Sequence, residues 1–122
     1  MRLKERMHKV LASQAEIEAD EERADALLVP GCCPVDVLPH RARASVSGVL
    51  RSVTLRPREG VPALEAELYD GSGTVDLVWL GRREIAGIEP GRRLKVEGLV
   101  CTREGRRSMF NPRYELRPRP GE

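Results

Sequence analysis

The residues that could carry chemistry in this sequence are arginines rather than nucleophiles. Of 21 basic residues, only Lys4, Lys9 and Lys95 are lysines. A guanidinium suits two-pronged contact with phosphate and stacking on bases, although arginine also rises with Ala, Gly, Val and Pro in GC-rich coding. Catalytic pairs are missing: neither His8 nor His40 has an evident partner, and Gly71 and Gly73 read as hairpin residues rather than a phosphate loop. The chain is therefore expected not to be an enzyme. Glu65, Glu67 and Asp76 could in principle hold Mg²⁺, but alternating carboxylates are common on a wet sheet face without any metal. Cys32 and Cys33 are adjacent and Cys101 is alone, so zinc-finger spacing and a disulfide framework are both absent. No metal and no cofactor is expected.

The elements that must position the arginines follow from composition and period. The chain has 122 residues, enough for one domain. Aromatics are 3% of it, so the core must be built from Val, Leu, Ile and Ala. The net charge of +2 hides an asymmetry. Residues 1–39 hold five basic and eight acidic groups, whereas residues 40–122 hold 16 basic and 11 acidic groups. The basic surplus lies in the second segment, where a polyanion would bind. Glu5, His8 and Lys9 interrupt any apolar leader, and no run approaches the ~18 apolar residues of a membrane span. A cytoplasmic protein without membrane contact is expected.

Residues 2–28 read as a helix, with Leu3, Met7, Val10, Leu11 and Ile17 on one stripe. Its charges oppose the helix dipole, basic first and acidic later, so it needs a partner surface. That surface is either its own barrel or another protein. Residues 29–39 contain three prolines and a glycine and read as a linker or irregular wrap, giving a division into 1–39 and 40–122. From residue 40 the period becomes two. Val46, Gly48 and Leu50 alternate, as do Leu64, Ala66 and Leu68; Val75, Leu77 and Trp79; and Leu94, Val96 and Gly98. Phe110, Tyr114 and Leu116 lie on a fifth run that Asn111-Pro112 interrupts; Phe110 and Tyr114, like Trp79, are read as core. Residues 82–88 leave room for a turn or two of helix. Arg82-Arg83 and Arg92-Arg93 read as solvated surface. The expected architecture is an all-β, five-stranded Greek-key barrel with a short helix between strands 3 and 4, preceded by an N-terminal α-helix.

The stretches VSGVLRSV (46–53), AELYDGSGTVDLVWLG (66–81), IEPGRRLKVEGLV (88–100) and NPRYEL (111–116) resemble OB-fold nucleic-acid-binding domains of the tRNA anticodon-binding type. That type also occurs in aminoacyl-tRNA synthetases and in the wedge domains of branch-migrating helicases. The likeness is strongest to small stand-alone actinobacterial OB-fold proteins and covers about two-thirds of the chain. It implies a ligand lying across strands 2 and 3, between the strand 1–2 and strand 4–5 loops. On this sequence the first loop offers Arg56 and Arg58, and the second Arg103, Arg106 and Arg107. Arg51 would point outward near the end of the first strand, and Tyr69 would stack on a base. The implied partner is single-stranded DNA or RNA, bound weakly and without sequence preference. The competing reading is a protein-interaction module accessory to a nucleic-acid-processing complex, with the N-terminal helix or the acidic face meeting a protein partner.

Overall fold

The computed structural model describes the backbone of residues 3–118 and the side chains of residues 13–118. The expected stripe of Leu3, Met7, Val10 and Leu11 lies outside the described side chains. Helix α1 runs Leu3–Ala26, and a single 3-10 turn covers Val35–Val37. Seven strands follow: β1 (Arg43–Leu55), β2 (Ala63–Tyr69), β3 (Thr74–Leu80), β4 (Arg93–Leu99), β5 (Cys101–Arg103), β6 (Arg106–Phe110) and β7 (Arg113–Leu116). They form one sheet in the order β5-β6-β3-β2-β1-β4-β7.

The long β1 pairs antiparallel with β4 through its first half and with β2 through its second. Its register with β2 slips between Leu50 and Ser52, which leaves Arg51 on a bulge. Gly48 sits where β1 passes from β4 to β2 and admits a close approach there. A Cβ there would lie 2.4 Å from the Tyr69 carbonyl oxygen, so β1 and the end of β2 approach too closely for a side chain.

Three expectations about the barrel are corrected. Seven strands stand where five were expected, because two bent runs each break in two. The run 93–103 breaks at Val100, and 106–116 breaks at Asn111-Pro112, where Asn111 takes a φ of 50°. The sheet is not closed, since β5 and β7 remain edges; the mostly-β architecture with one N-terminal helix is compatible with an OB barrel. Residues 82–92 form no helix. Gly81, Gly87 and Pro90 confine that segment to spans too short to nucleate one. It acts instead as a plug, burying Ile85 and Ile88.

The core gathers Val46, Leu50, Leu64, Ala66, Leu68, Val75, Leu77, Trp79, Leu94 and Val96, all on the inward faces that period two assigned. Met109 and Val100 join them, as do Val35 and Leu38 from the proline-rich segment. That segment wraps onto the barrel: Cys33 N–H donates to the Ser45 carbonyl at 2.8 Å, and Val35 N–H to Asp70 Oδ2 at 2.9 Å. Buried Asp70 also accepts from the N–H groups of Ser72 and Gly73, so one carboxylate fixes both the β2–β3 turn and the wrap.

The C-terminal half of α1 packs against the β2–β3 turn. Gly71, at φ 89°, would place a Cβ 2.2 Å from the Ala19 carbonyl oxygen, so only glycine admits the helix backbone here. Arg93 grips Glu22 with both terminal nitrogens (2.6 and 2.8 Å) and Asp25 with one (2.9 Å). Arg117 reaches the same Asp25 at 2.6 Å. Arg92-Arg93 is therefore not solvated surface: Arg93 anchors α1, and half-buried Arg92 donates to the Arg117 carbonyl. Arg82 and Arg83 are exposed, as expected.

Candidate nucleic-acid interface

The outward faces of β1, β2, β3 and β6 form the floor of a cleft of about 800 Å³. At its rims stand Arg56 and Arg58, just before the hairpin turn Glu59-Gly60, and Arg103 and Glu104, at the turn Glu104-Gly105; all four turn residues have positive φ. Ser52 and Thr54 come from β1, Glu65 and Glu67 from β2, Asp76 and Val78 from β3, and Ser108 and Phe110 from β6. His40, Arg41 and Thr102 close one side.

Of the seven residues expected to bind nucleic acid, the cleft brings together Arg56, Arg58, Arg103 and Arg106. Arg107 points the other way. In β6 it lies opposite Val75, on the inward side, and its guanidinium donates to the Asp36 carbonyl at 3.2 Å. Consecutive strand residues face opposite sides, so Arg106 and Arg107 cannot share a groove. Arg51 and Tyr69 also lie outside the cleft lining. Tyr69 follows Glu65 and Glu67 on the same face of β2, and the Arg51 guanidinium stacks on its ring, 3.4 Å from the centroid. One face of that ring is thus already covered.

The cleft arginines are mostly paired with the carboxylates beneath them. Arg106 grips Asp76 at 2.8 and 2.7 Å and approaches Glu67 at 3.9 Å. The hydrogen bond to Asp76, and then its charge, raise the Arg106 pKa further. Arg58 donates twice to Glu65 Oε1, and Arg56 stands 3.6 Å from Glu65 Oε2. Arg41 and Arg103 have no ion pair among the described residues. Five arginines against four carboxylates (Glu65, Glu67, Asp76 and Glu104) leave the cleft with one net positive charge. Exposed pairs of this kind contribute about 0–1 kcal/mol each, so a phosphate can compete for them.

Phe110 and Tyr114 correct the core expectation, being 45% and 41% exposed. Asn111-Pro112 adds a residue that flips the alternation. Met109 opposite Leu77 and Tyr114 opposite Val96 both take the inward side although five residues apart. Phe110 is thereby turned out into the cleft, with Arg58 5.5 Å from its ring centroid. Tyr114, on an edge strand, sets its ring edge-on to Trp79 at 5.9 Å. Sequence reasoning also missed His40, whose Nδ1 accepts the Thr102 N–H at 2.9 Å and ties the entry of β1 to β5. Nothing local marked it; Phe110 was marked by Met109, the apolar residue of opposite parity beside it.

Among the described residues, no cluster of three His, Cys, Asp or Glu side chains could hold a metal ion. No described helix is long and apolar enough to cross a membrane.

No protein-family model and no curated protein matches the chain. Solved structures do match it. RecG bound to a three-way DNA junction aligns with 71% of this chain at 25% identity and a TM-score of 0.54. The chain spans 12% of RecG's length. One chain of a replication protein A heterotrimer bound to single-stranded DNA aligns with 75% of this chain, over 69% of its own length, at 14% identity and a TM-score of 0.50. The second likeness concerns the fold alone. Together they support an OB-like fold for this chain.

Proposed function

We propose that this chain is an OB-fold protein of the cytoplasm, not an enzyme, that holds a single strand of DNA or RNA in the cleft. Binding is weak and indifferent to sequence. The observation that carries this reading is the cleft itself: five arginines line it, Arg41 and Arg103 are unpaired among the described residues, and Phe110 is offered to solvent beside Arg58. Arginines neutralise phosphates, an exposed ring stacks on a base, and neither selects one base over another. RecG was solved on a DNA junction and replication protein A on single-stranded DNA, in keeping with that ligand class.

Fluorescence anisotropy of labelled single-stranded DNA, RNA and duplex at several salt concentrations tests the reading. Three or four phosphate contacts give a slope of log K against log salt of roughly −2 to −3 for a single strand. A slope near zero, or a preference for duplex, would overturn it. The second reading, a protein-interaction module, draws on the acidic cleft floor, whose carboxylates already occupy Arg56, Arg58 and Arg106.

A further inference from the structure

A second, smaller cavity of about 190 Å³ lies between the end of α1, the proline-rich wrap and β1. Ala26 and Leu27 line it from the helix side, Cys32, Cys33 and Pro34 from the wrap, and Ser47 from β1. None of its lining residues belongs to the cleft. Val46 enters the core, so the alternation of β1 turns Ser47 the opposite way, toward the wrap. Ser47 is only 1% exposed, and its Oγ has no hydrogen-bond partner. A buried hydroxyl is rarely left so, because it has given up water without a replacement.

The polar groups of the neighbouring β2–β3 turn are already engaged. The Asp70 carboxylate accepts from the N–H groups of Val35, Ser72 and Gly73. Ser72 Oγ donates to Asp70 Oδ1 at 2.7 Å and accepts the Asp36 N–H at 3.1 Å. Arg23 and Asp36, both exposed, bring opposite charges to the lining and set no net preference for a charged ligand. The remaining surface is carbon and sulfur. Both cysteines are free thiols, and burial pushes the Cys32 thiol pKa up, which keeps that sulfur uncharged. Soft sulfur and aliphatic carbon suit an aromatic ring. An apolar cavity of about 150 Å³ already admits benzene.

We propose that this cavity binds an uncharged aromatic molecule of one or two small rings, whose single N–H or O–H donates to Ser47 Oγ. The ligand joins the end of α1, the wrap and β1, so it stabilises the folded chain by mass action. This site stands apart from the cleft and does not depend on a nucleic-acid ligand there.

Indole and indene test it, because they share a shape and differ in the N–H. In calorimetric titrations of the full chain, indole is expected to bind about three- to tenfold more tightly than indene, the margin of one hydrogen bond. Ser47→Ala deletes an unpartnered group, so it is expected to melt no lower than the parent chain and to bind the two molecules equally. Iodoacetamide labelling read by mass spectrometry locates the site. Indole is expected to slow alkylation of Cys32 and Cys33 and to leave Cys101, which lines the cleft instead, unchanged. No binding of indole, equal affinity for indene, equal protection of Cys101, or an indole preference that survives Ser47→Ala would overturn the proposal. The comparison of indole with indene is made on the parent chain, so it decides even where the variant fails to fold.

Discussion

Arg106 and Asp76, thirty residues apart, meet through two hydrogen bonds of 2.8 and 2.7 Å across the parallel pairing of β6 with β3. The pair sits on the cleft floor, so one of the cleft's cations is already held by a carboxylate. Asp76→Asn is expected to release it. Single-strand affinity should rise severalfold, and the salt slope should steepen by about 0.7 for one more phosphate contact. Unchanged affinity would mean that Arg106 does not face the ligand.

Arg103 and Arg107 separate the two sides of the sheet. Arg103→Ala is expected to flatten the salt slope by about 0.7, uniformly across sequences. Arg107→Ala, on the far side of β6, should leave the slope alone. Equal effects from both would remove the cleft from the binding path.

Phe110→Ala tests the exposed ring. A side chain 45% exposed is only partly packed, so stability should fall by no more than about 1 kcal/mol. Loss of one stacked base should weaken single-strand binding by about 1–3 kcal/mol. If melting falls and binding does not, the ring is structural.

The α1 anchor has a pH signature. Partial burial pushes the Asp25 carboxyl up, but the Arg117 hydrogen bond and the charges of Arg93 and Arg117 outweigh it and hold it below the ordinary 3.8. A carboxyl lowered on folding stabilises fully above its unfolded value, and the contribution is lost as pH falls through the lower folded one. Asp25→Asn is therefore expected to cost about 1 kcal/mol at neutral pH. Calorimetry should show its difference from the parent chain shrinking toward zero below the ordinary 3.8. A difference that persists in acid would mean that the ion pairs are not what Asp25 contributes.

Where the folding unit begins is open to a direct test. Val35 is fully buried and Leu38 is 6% exposed, both against barrel residues. A chain starting at Gly31 is expected to melt cooperatively near the full chain. One starting at His40 should lose about 3 kcal/mol or more, from exposing two buried aliphatic side chains. Matching melts for the two would confine the folding unit to residues 40–118.

The inward faces of β1 to β4 were legible because a strand's side-chain period is local: Val46 and Leu50, or Leu64 and Leu68, declare their side by spacing alone. The hairpin turns were legible for a similar reason, since glycine takes the positive φ that Glu104-Gly105 requires. Alternation holds only while the strand is unbroken, however. One residue added at Asn111-Pro112 reversed it, and Phe110 moved from the expected core into the cleft. The partners of the arginines could not be read either. Arg106 with Asp76, Arg93 with Glu22 and Arg107 with the Asp36 carbonyl are joined by strand order and helix seating, which bring together residues 30 to 71 positions apart. The sequence by itself determined a basic β-domain and which way most of its strands face. Only the tertiary structure decided which arginines remain free, because an ion pair depends on a distance that spacing along the chain does not set.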